Sequence, residues 1–154
     1  MKNLALAIDF NEETDDIVSF AQELAHSTGA ALHLVHIFPP EPETIALTPY
    51  VYPMPIGIEE VQAHDELIKA EREDLIAIVD RLKSSGLEAT GHMKPSQLDI
   101  PAAILDFASE EKCELLLIGT HRPGRLERLV LGSTTESIIR KADIPVLVIP
   151  RHKE

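Results

Sequence analysis

Five apolar runs divide the chain, and helical periodicity fills the gaps between them. Leu4-Ala-Leu-Ala-Ile8 and Ala31-Leu-His-Leu-Val-His-Ile37 read as the first two strands, Leu87 to Met93 as a weaker third, Glu114-Leu-Leu-Leu-Ile118 as a fourth and Pro145-Val-Leu-Val-Ile149 as a fifth. Three of these runs are continuous rather than alternating, the pattern of strands buried on both faces of a parallel sheet. In the first gap Ile17, Phe20, Ala21 and Leu24 share one helical face, and Gly29 supplies a stop. Val61, Ile68, Leu75, Val79 and Leu82 form a longer stripe that ends at Gly86. Asp99-Ile-Pro101 reads as a helix start with proline in the first turn, after which Ile104, Leu105 and Ala108 face inward. Ile138, Ile139 and Ala142 mark the last helix. Strand alternating with helix throughout implies right-handed crossovers and a doubly wound α/β sandwich, with helices on both faces of the sheet.

The length of 154 residues and a hydrophobic content of 44% fit a single domain spanning 1–154 with one core. One segment breaks the rhythm. Pro39 to Ile58 carries six prolines and both tyrosines, Tyr50 and Tyr52, a connection long enough to read either as a variable surface loop or as a lid or partner contact.

Charge narrows the function classes. Fourteen basic against 26 acidic residues leave a net charge of −12, which argues against a nucleic-acid binder that works by broad phosphate neutralisation. No apolar run approaches the roughly 18 residues of a membrane span, and the N-terminal run ends in acids rather than in a cleavage site, so no membrane insertion and no leader are expected. The lone Cys113 excludes an internal disulfide framework, fits a reducing cytoplasm and reads as a small buried residue.

Against this acidic background the stretch GTHRPGRLERLVLGSTTES, from Gly119 to Ser137, carries three arginines and a histidine between two glycines. In open α/β sheets ligands bind beyond the carboxyl ends of the strands, where the winding reverses. Three positions mark that rim: Asp9 after the first strand, Ile37-Phe38 after the second, and Gly119-Thr120 after the fourth, with Ala7, Ile8 and Ile118 at the strand ends beside them counted among the site residues. Asp9 could accept hydrogen bonds from a ligand or cap the first helix, a role for which Asn11 and Thr14 also qualify. Ser133-Thr134-Thr135-Glu136 matches a capping box, yet a helix start preceded by Gly132 is also an anion site through its unpaired N–H groups. Arg122, Arg125 and Arg128 favour the second reading. Other chemistry finds little support. His33 and His36 point to opposite faces of a strand and cannot share a metal, no metal or Ser-His-Asp spacing emerges, and the Gly-Lys-Ser/Thr ending of a P-loop is missing.

Taken together, the strand Leu4–Ile8 ending in Asp9-Phe10, the run Leu34-Val-His-Ile37 and the C-terminal third make the chain resemble the universal stress protein family over essentially its whole length. Nucleotide-binding members carry glycine, two residues, glycine, nine residues, then glycine and a serine or threonine. Gly119 and Gly132-Ser133 stand at the right separation, followed by Thr134-Thr135-Glu136. The resemblance implies a five-stranded parallel sheet of the adenine nucleotide alpha hydrolase-like kind, in the doubly wound order 3-2-1-4-5, a cytoplasmic stress-response role, and a site for ATP or a related adenine nucleotide, with magnesium as an optional companion ion. Asp9 and Ile37 would lie against ribose and adenine. It further implies a homodimer, for which the apolar edge strand 145–149 is the natural contact. One position departs from the pattern: the middle glycine falls on Arg122, which either adds a charged fork for phosphate or fills the space a phosphate would take. The expected function is a nucleotide-sensing regulatory protein, not an enzyme. The alternatives are a family member that acts only through protein contacts, and a slow adenine nucleotide hydrolase.

Overall fold

In the computed structural model, which describes residues 1–11, 13–38, 58–96, 99–120 and 131–150, the five apolar runs all become strands. They are β1 (Asn3–Ala7), β2 (Ala31–Phe38), β3 (Ala89–Pro95), β4 (Leu115–Gly119) and β5 (Val146–Ile149). All pair in parallel, in the order β3-β2-β1-β4-β5. Between them run α1 (Thr14–Thr28), α2 (Ile58–Ser84), α3 (Ile100–Glu110) and α4 (Ser133–Lys141).

The continuous apolar runs are explained by burial on both faces. Leu4, Leu6, Leu32, Leu34 and Leu117 point to one side and pack with Ile17, Val18 and Ala21 of α1 and with Leu75, Val79 and Leu82 of α2. Ala5, Val35, Ile37, Leu116 and Ile118 point to the other, against Ile104, Phe107 and Ala108 of α3 and Ile138 of α4. Phe107 is completely buried at the centre of this second layer. Each large side chain so removed from water contributes about 1.5–3 kcal/mol.

Three helical positions differ from the periodicity reading. The buried stripe of α1 is Ile17, Val18, Ala21 and Ala25, and Phe20 is 44% exposed. The helix is rotated so that its small residues meet the sheet, because two alanines let it approach more closely than a phenylalanine would. On α4 Ile138 is buried while Ile139 is 43% exposed, and Ala142 is the C-terminal cap rather than an interior residue. The stops behave as read: Gly29 (φ 67°) and Gly86 (φ 89°) both take left-handed conformations that favour glycine. Asp99 caps α3, its carboxylate accepting from the Ala102 N–H at 3.0 Å. The proline-rich segment 39–57 lies outside the described residues, and Ile58 already belongs to α2.

Cys113 is buried beside this second layer. Burial, with the charge of Glu111 adding to it, pushes its thiol up to about 11 from 9.0. The unfolded chain therefore loses this proton first, so stability should fall as pH rises between about 9 and 11. Cys113→Ala should flatten that decline in urea melts recorded across the same window. An unchanged slope would place the alkaline loss elsewhere.

Candidate functional site

At the carboxyl ends of β1, β2 and β4 a cleft opens with a cavity volume of ≈ 210 Å³. It sits where the winding reverses, with β2 on one side of β1 and β4 on the other. Its floor is apolar: Val35 and Ile37 come from β2, Ile118 from β4, Ile104 from α3 and Ile138 from α4. Its rim is polar, with Asp9 and Asn11 following β1 and Gly132, Ser133 and Thr134 at the start of α4.

The turn after β1 separates the two readings of Asp9. The Asn11 N–H donates to Thr14 Oγ1 (3.0 Å), and the Thr14 hydroxyl donates to the Asp9 carbonyl (2.6 Å). Asn11 Oδ1 accepts from the Glu13 N–H (3.0 Å), and Glu13 itself stands at the cap position. Asn11 and Thr14 thus build the turn with short local bonds. Asp9 gives it only a carbonyl, and its exposed carboxylate, on the cleft, bonds to none of the described residues.

The capping box predicted at Ser133–Glu136 does not form. Gly132 is the cap, extended at φ −64° and ψ 159°, and no side chain among the described residues bonds to this end of the helix. Ser133 is already the first helical residue, so its hydroxyl is one position too late to reach back over the helix start. Glu136 turns forward instead and takes the Arg140 guanidinium at 2.8 and 3.2 Å. The first helical bond runs from Glu136 N–H to Gly132 O (2.9 Å). The N–H groups of Ser133, Thr134 and Thr135 are therefore left without helical acceptors at the cleft, where the positive end of the helix dipole also lies.

Of the residues expected at the rim, Ala7, Ile8, Asp9, Ile37, Ile118, Gly119, Gly132, Ser133, Thr134 and Thr135 all line this one cleft. Gly119 has a packing reason as well, since a Cβ there would come within 2.4 Å of Ile17 Cδ1 on α1. Thr120 does not join them. It is fully buried, its N–H bonded to the Ile149 carbonyl at 3.1 Å, and its hydroxyl has no partner among the described residues. Arg122, Arg125 and Arg128 lie outside the described residues. Asn11, Val35, Ile100, Ile104 and Ile138 also line the cleft. A signal for Val35 was present, because it lies two residues before Ile37 and so on the same face of β2.

Behind the cleft a buried imidazole fixes the end of β1. His36 Nδ1–H donates to the Ile8 carbonyl (2.9 Å), and Nε2 lies 2.9 Å from Glu71 Oε2 on α2. Phe10 packs edge-on against the ring at 4.8 Å.

The comparisons agree with this architecture. The family model described as "Universal stress protein family" matches residues 1–150. Among curated proteins, the stress response protein NhaX of Bacillus subtilis is 25% identical, covering 95% of this chain and 96% of its own length. A universal stress protein of Thermus aquaticus is 26% identical, covering 96% and 98%. Among solved structures, the universal stress protein from Archaeoglobus fulgidus in complex with dAMP superposes with a TM-score of 0.65 at 23% identity, covering 96% of this chain and 97% of that one. A universal stress protein in complex with cAMP gives 0.60 at 19%, covering 96% and 95%. With its order 3-2-1-4-5 parallel sheet and a family match over nearly its full length, the chain belongs to the universal stress protein family.

Proposed function

We propose that this protein is a cytoplasmic stress-response regulator that binds an adenine nucleotide in the cleft between β1, β4 and the start of α4. One observation carries the reading: an apolar floor, a carboxylate without a partner among the described residues, and a row of unpaired helix N–H groups meet in a single cleft. Each suits a different part of a nucleotide. The isoleucine and valine floor suits the flat apolar faces of a base, the Asp9 carboxylate suits ribose hydroxyls, and the α4 start suits phosphate oxygens. A volume of ≈ 210 Å³ is below the roughly 300–1,000 Å³ of whole small-molecule pockets. The enclosed part thus fits the nucleoside, with the phosphates over the rim and Arg122 as a proposed charged ligand to them. Magnesium, if it accompanies ATP, would be held mainly by phosphate oxygens, with Asp9 the one carboxylate among the described lining residues. The dAMP and cAMP complexes of related proteins support the same ligand class.

The role is binding rather than turnover. Asp9 is the only titratable side chain on the described cleft lining, and an exposed carboxylate by itself makes a poor general acid or base for phosphoryl chemistry. Purified protein should release an adenine nucleotide when denatured and read by mass spectrometry, or bind AMP and ATP in calorimetry. Incubation with ATP and magnesium should release no appreciable phosphate. Failure to bind any adenine nucleotide would point to a member acting through protein contacts alone.

A homodimer through β5 belongs to the same proposal. This strand is an edge of the sheet, and Val146, Leu147 and Val148 are only half buried. An apolar edge with unpaired backbone groups is satisfied by a second copy pairing about a twofold axis. Sedimentation at micromolar concentration should give the dimer mass, and a monomer there would remove this part of the proposal.

A further inference from the structure

We propose that His33, His92 and Glu111 form a binding site for a divalent transition-metal ion, with zinc the best fit, at the far end of α3 from the cleft. The three donors come from three elements that the fold brings together. His33 lies on β2 and His92 on β3, and the parallel register sets His33 beside Thr90 and Val35 beside His92. Residues 33, 35, 90 and 92 therefore share the sheet face that α3 covers. Glu111 is the C-terminal cap of α3. Ile100 and Ile104, at the start of that helix, line the nucleotide cleft instead, so the two sites are separate.

The donor atoms of His33, His92 and Glu111 all lie within 4.8 Å of one another, with His33 Nδ1 3.8 Å from Glu111 Oε2. Tetrahedral zinc, with bonds of about 2.0–2.2 Å, needs its ligands roughly 3.4 Å apart. The 3.8 Å between His33 and Glu111 can be shortened by rotating the Glu111 side chain, which is 33% exposed.

The backbones are held more firmly. The Asn3 Nδ2 amide donates to the Glu111 carbonyl (3.2 Å), and the Cys113 N–H donates to the Ala108 carbonyl (2.8 Å) just beyond it. The ring of His92 packs on Phe107 at 4.9 Å. Thr90 Oγ1 bonds both imidazoles, His33 Nδ1 at 2.8 Å and His92 Nε2 at 3.0 Å. A hydroxyl has one proton, so it donates to one ring and accepts from the other; both ring nitrogens face the Thr90 hydroxyl, which must turn away for an ion to take its place.

Two imidazoles and a carboxylate select zinc, cobalt, nickel or copper over magnesium or calcium, which prefer all-oxygen sites. Three protein ligands leave a fourth position for water. The chain's net charge of −12 favours any cation. Two features oppose tight binding. The ion must displace the Thr90 hydroxyl from both rings. His33 Nε2 is buried and has no partner among the described residues, so coordination through Nδ1 would leave the Nε2–H without an acceptor. Micromolar rather than nanomolar affinity follows.

Cobalt(II) is the direct probe because it reports its own geometry. Full-length protein freed of metal with a chelator and titrated with cobalt should develop the visible d–d bands of a four-coordinate ion at one equivalent. Zinc should abolish those bands by competition. His92→Ala and Glu111→Gln should each weaken cobalt binding by at least about tenfold, and melting curves without metal would show that both variants fold. Should His33→Ala not fold, these two variants decide the matter. The proposal is overturned if no visible bands appear up to millimolar cobalt, or if binding persists unchanged in His92→Ala, which would place the ion elsewhere on the acidic surface.

Discussion

Replacing His36 by alanine should destabilise the protein by about 3 kcal/mol, read as a lower urea midpoint with an unchanged slope. His36 is 5% exposed and its ring bonds two groups on different elements. One is the carbonyl of Ile8 at the end of β1, and the other is the carboxylate of Glu71 on α2. Alanine would leave both behind in the packed layer between sheet and helix. Removing one partner of a buried pair costs about 3–5 kcal/mol. The lower end applies because the Glu71 side chain, 17% exposed, keeps some contact with water. Glu71→Gln supplies the control. A glutamine amide keeps a hydrogen-bond partner for Nε2, so only the charged part of the interaction is lost, about 1 kcal/mol. If His36→Ala proves as mild as Glu71→Gln, the imidazole does not hold the strand end. Because Ile8 precedes Asp9, the alanine variant should also loosen the cleft.

The strands were legible because burial on both faces leaves short continuous apolar runs between turn signals, whereas their order came with the family resemblance. Leu115–Ile118 and Val146–Ile149 show it directly. Helix faces were harder to assign. On α1 the sequence offers Phe20 and Val18 about equally, and the choice of Val18 depends on how closely the helix seats on β1 and β4, a distance that no single segment encodes. The rim residues were legible because topology alone assigns the ends of β1, β2 and β4 to a ligand cleft. The contributions of α3 and α4 to its floor, through Ile104 and Ile138, were visible only as inward-facing positions, and not as cleft positions. The capping pattern at Ser133–Glu136 misled because it fixes a spacing but not a starting residue, and moving the helix start by one residue takes the serine out of the cap. Least legible was the grouping of His33 with His92 and Glu111. It depends on the β2–β3 register and on where α3 ends, both set by contacts between segments far apart in sequence. His36, the nearer histidine, lies on the opposite face.

Gly132→Leu should abolish adenine nucleotide binding while leaving the fold intact. Gly132 is extended rather than left-handed, and an added Cβ would meet nothing within 4 Å. A leucine is therefore accommodated by the backbone, at a cost near 1 kcal/mol for replacing glycine at a helix cap. The open space that admits it borders the cleft, where the proposal requires phosphate oxygens to approach the N–H groups of Ser133 and Thr134. A branched side chain there would hold an anion beyond hydrogen-bonding distance and cover the dipole end with hydrocarbon. Calorimetry with AMP or ATP should show no heat of binding, and circular dichroism should show an unchanged spectrum. Ser133→Ala separates site from cap. As its hydroxyl caps nothing, stability should stay within about 0.5 kcal/mol of the parent, whereas a lost phosphate hydrogen bond should weaken binding by about 1 kcal/mol, roughly fivefold. A serine variant that loses stability but keeps its affinity would restore the capping role and remove α4 from the ligand site. Undiminished binding in Gly132→Leu would move the phosphates away from α4 altogether, leaving the apolar floor and Asp9 to account for whatever the cleft holds.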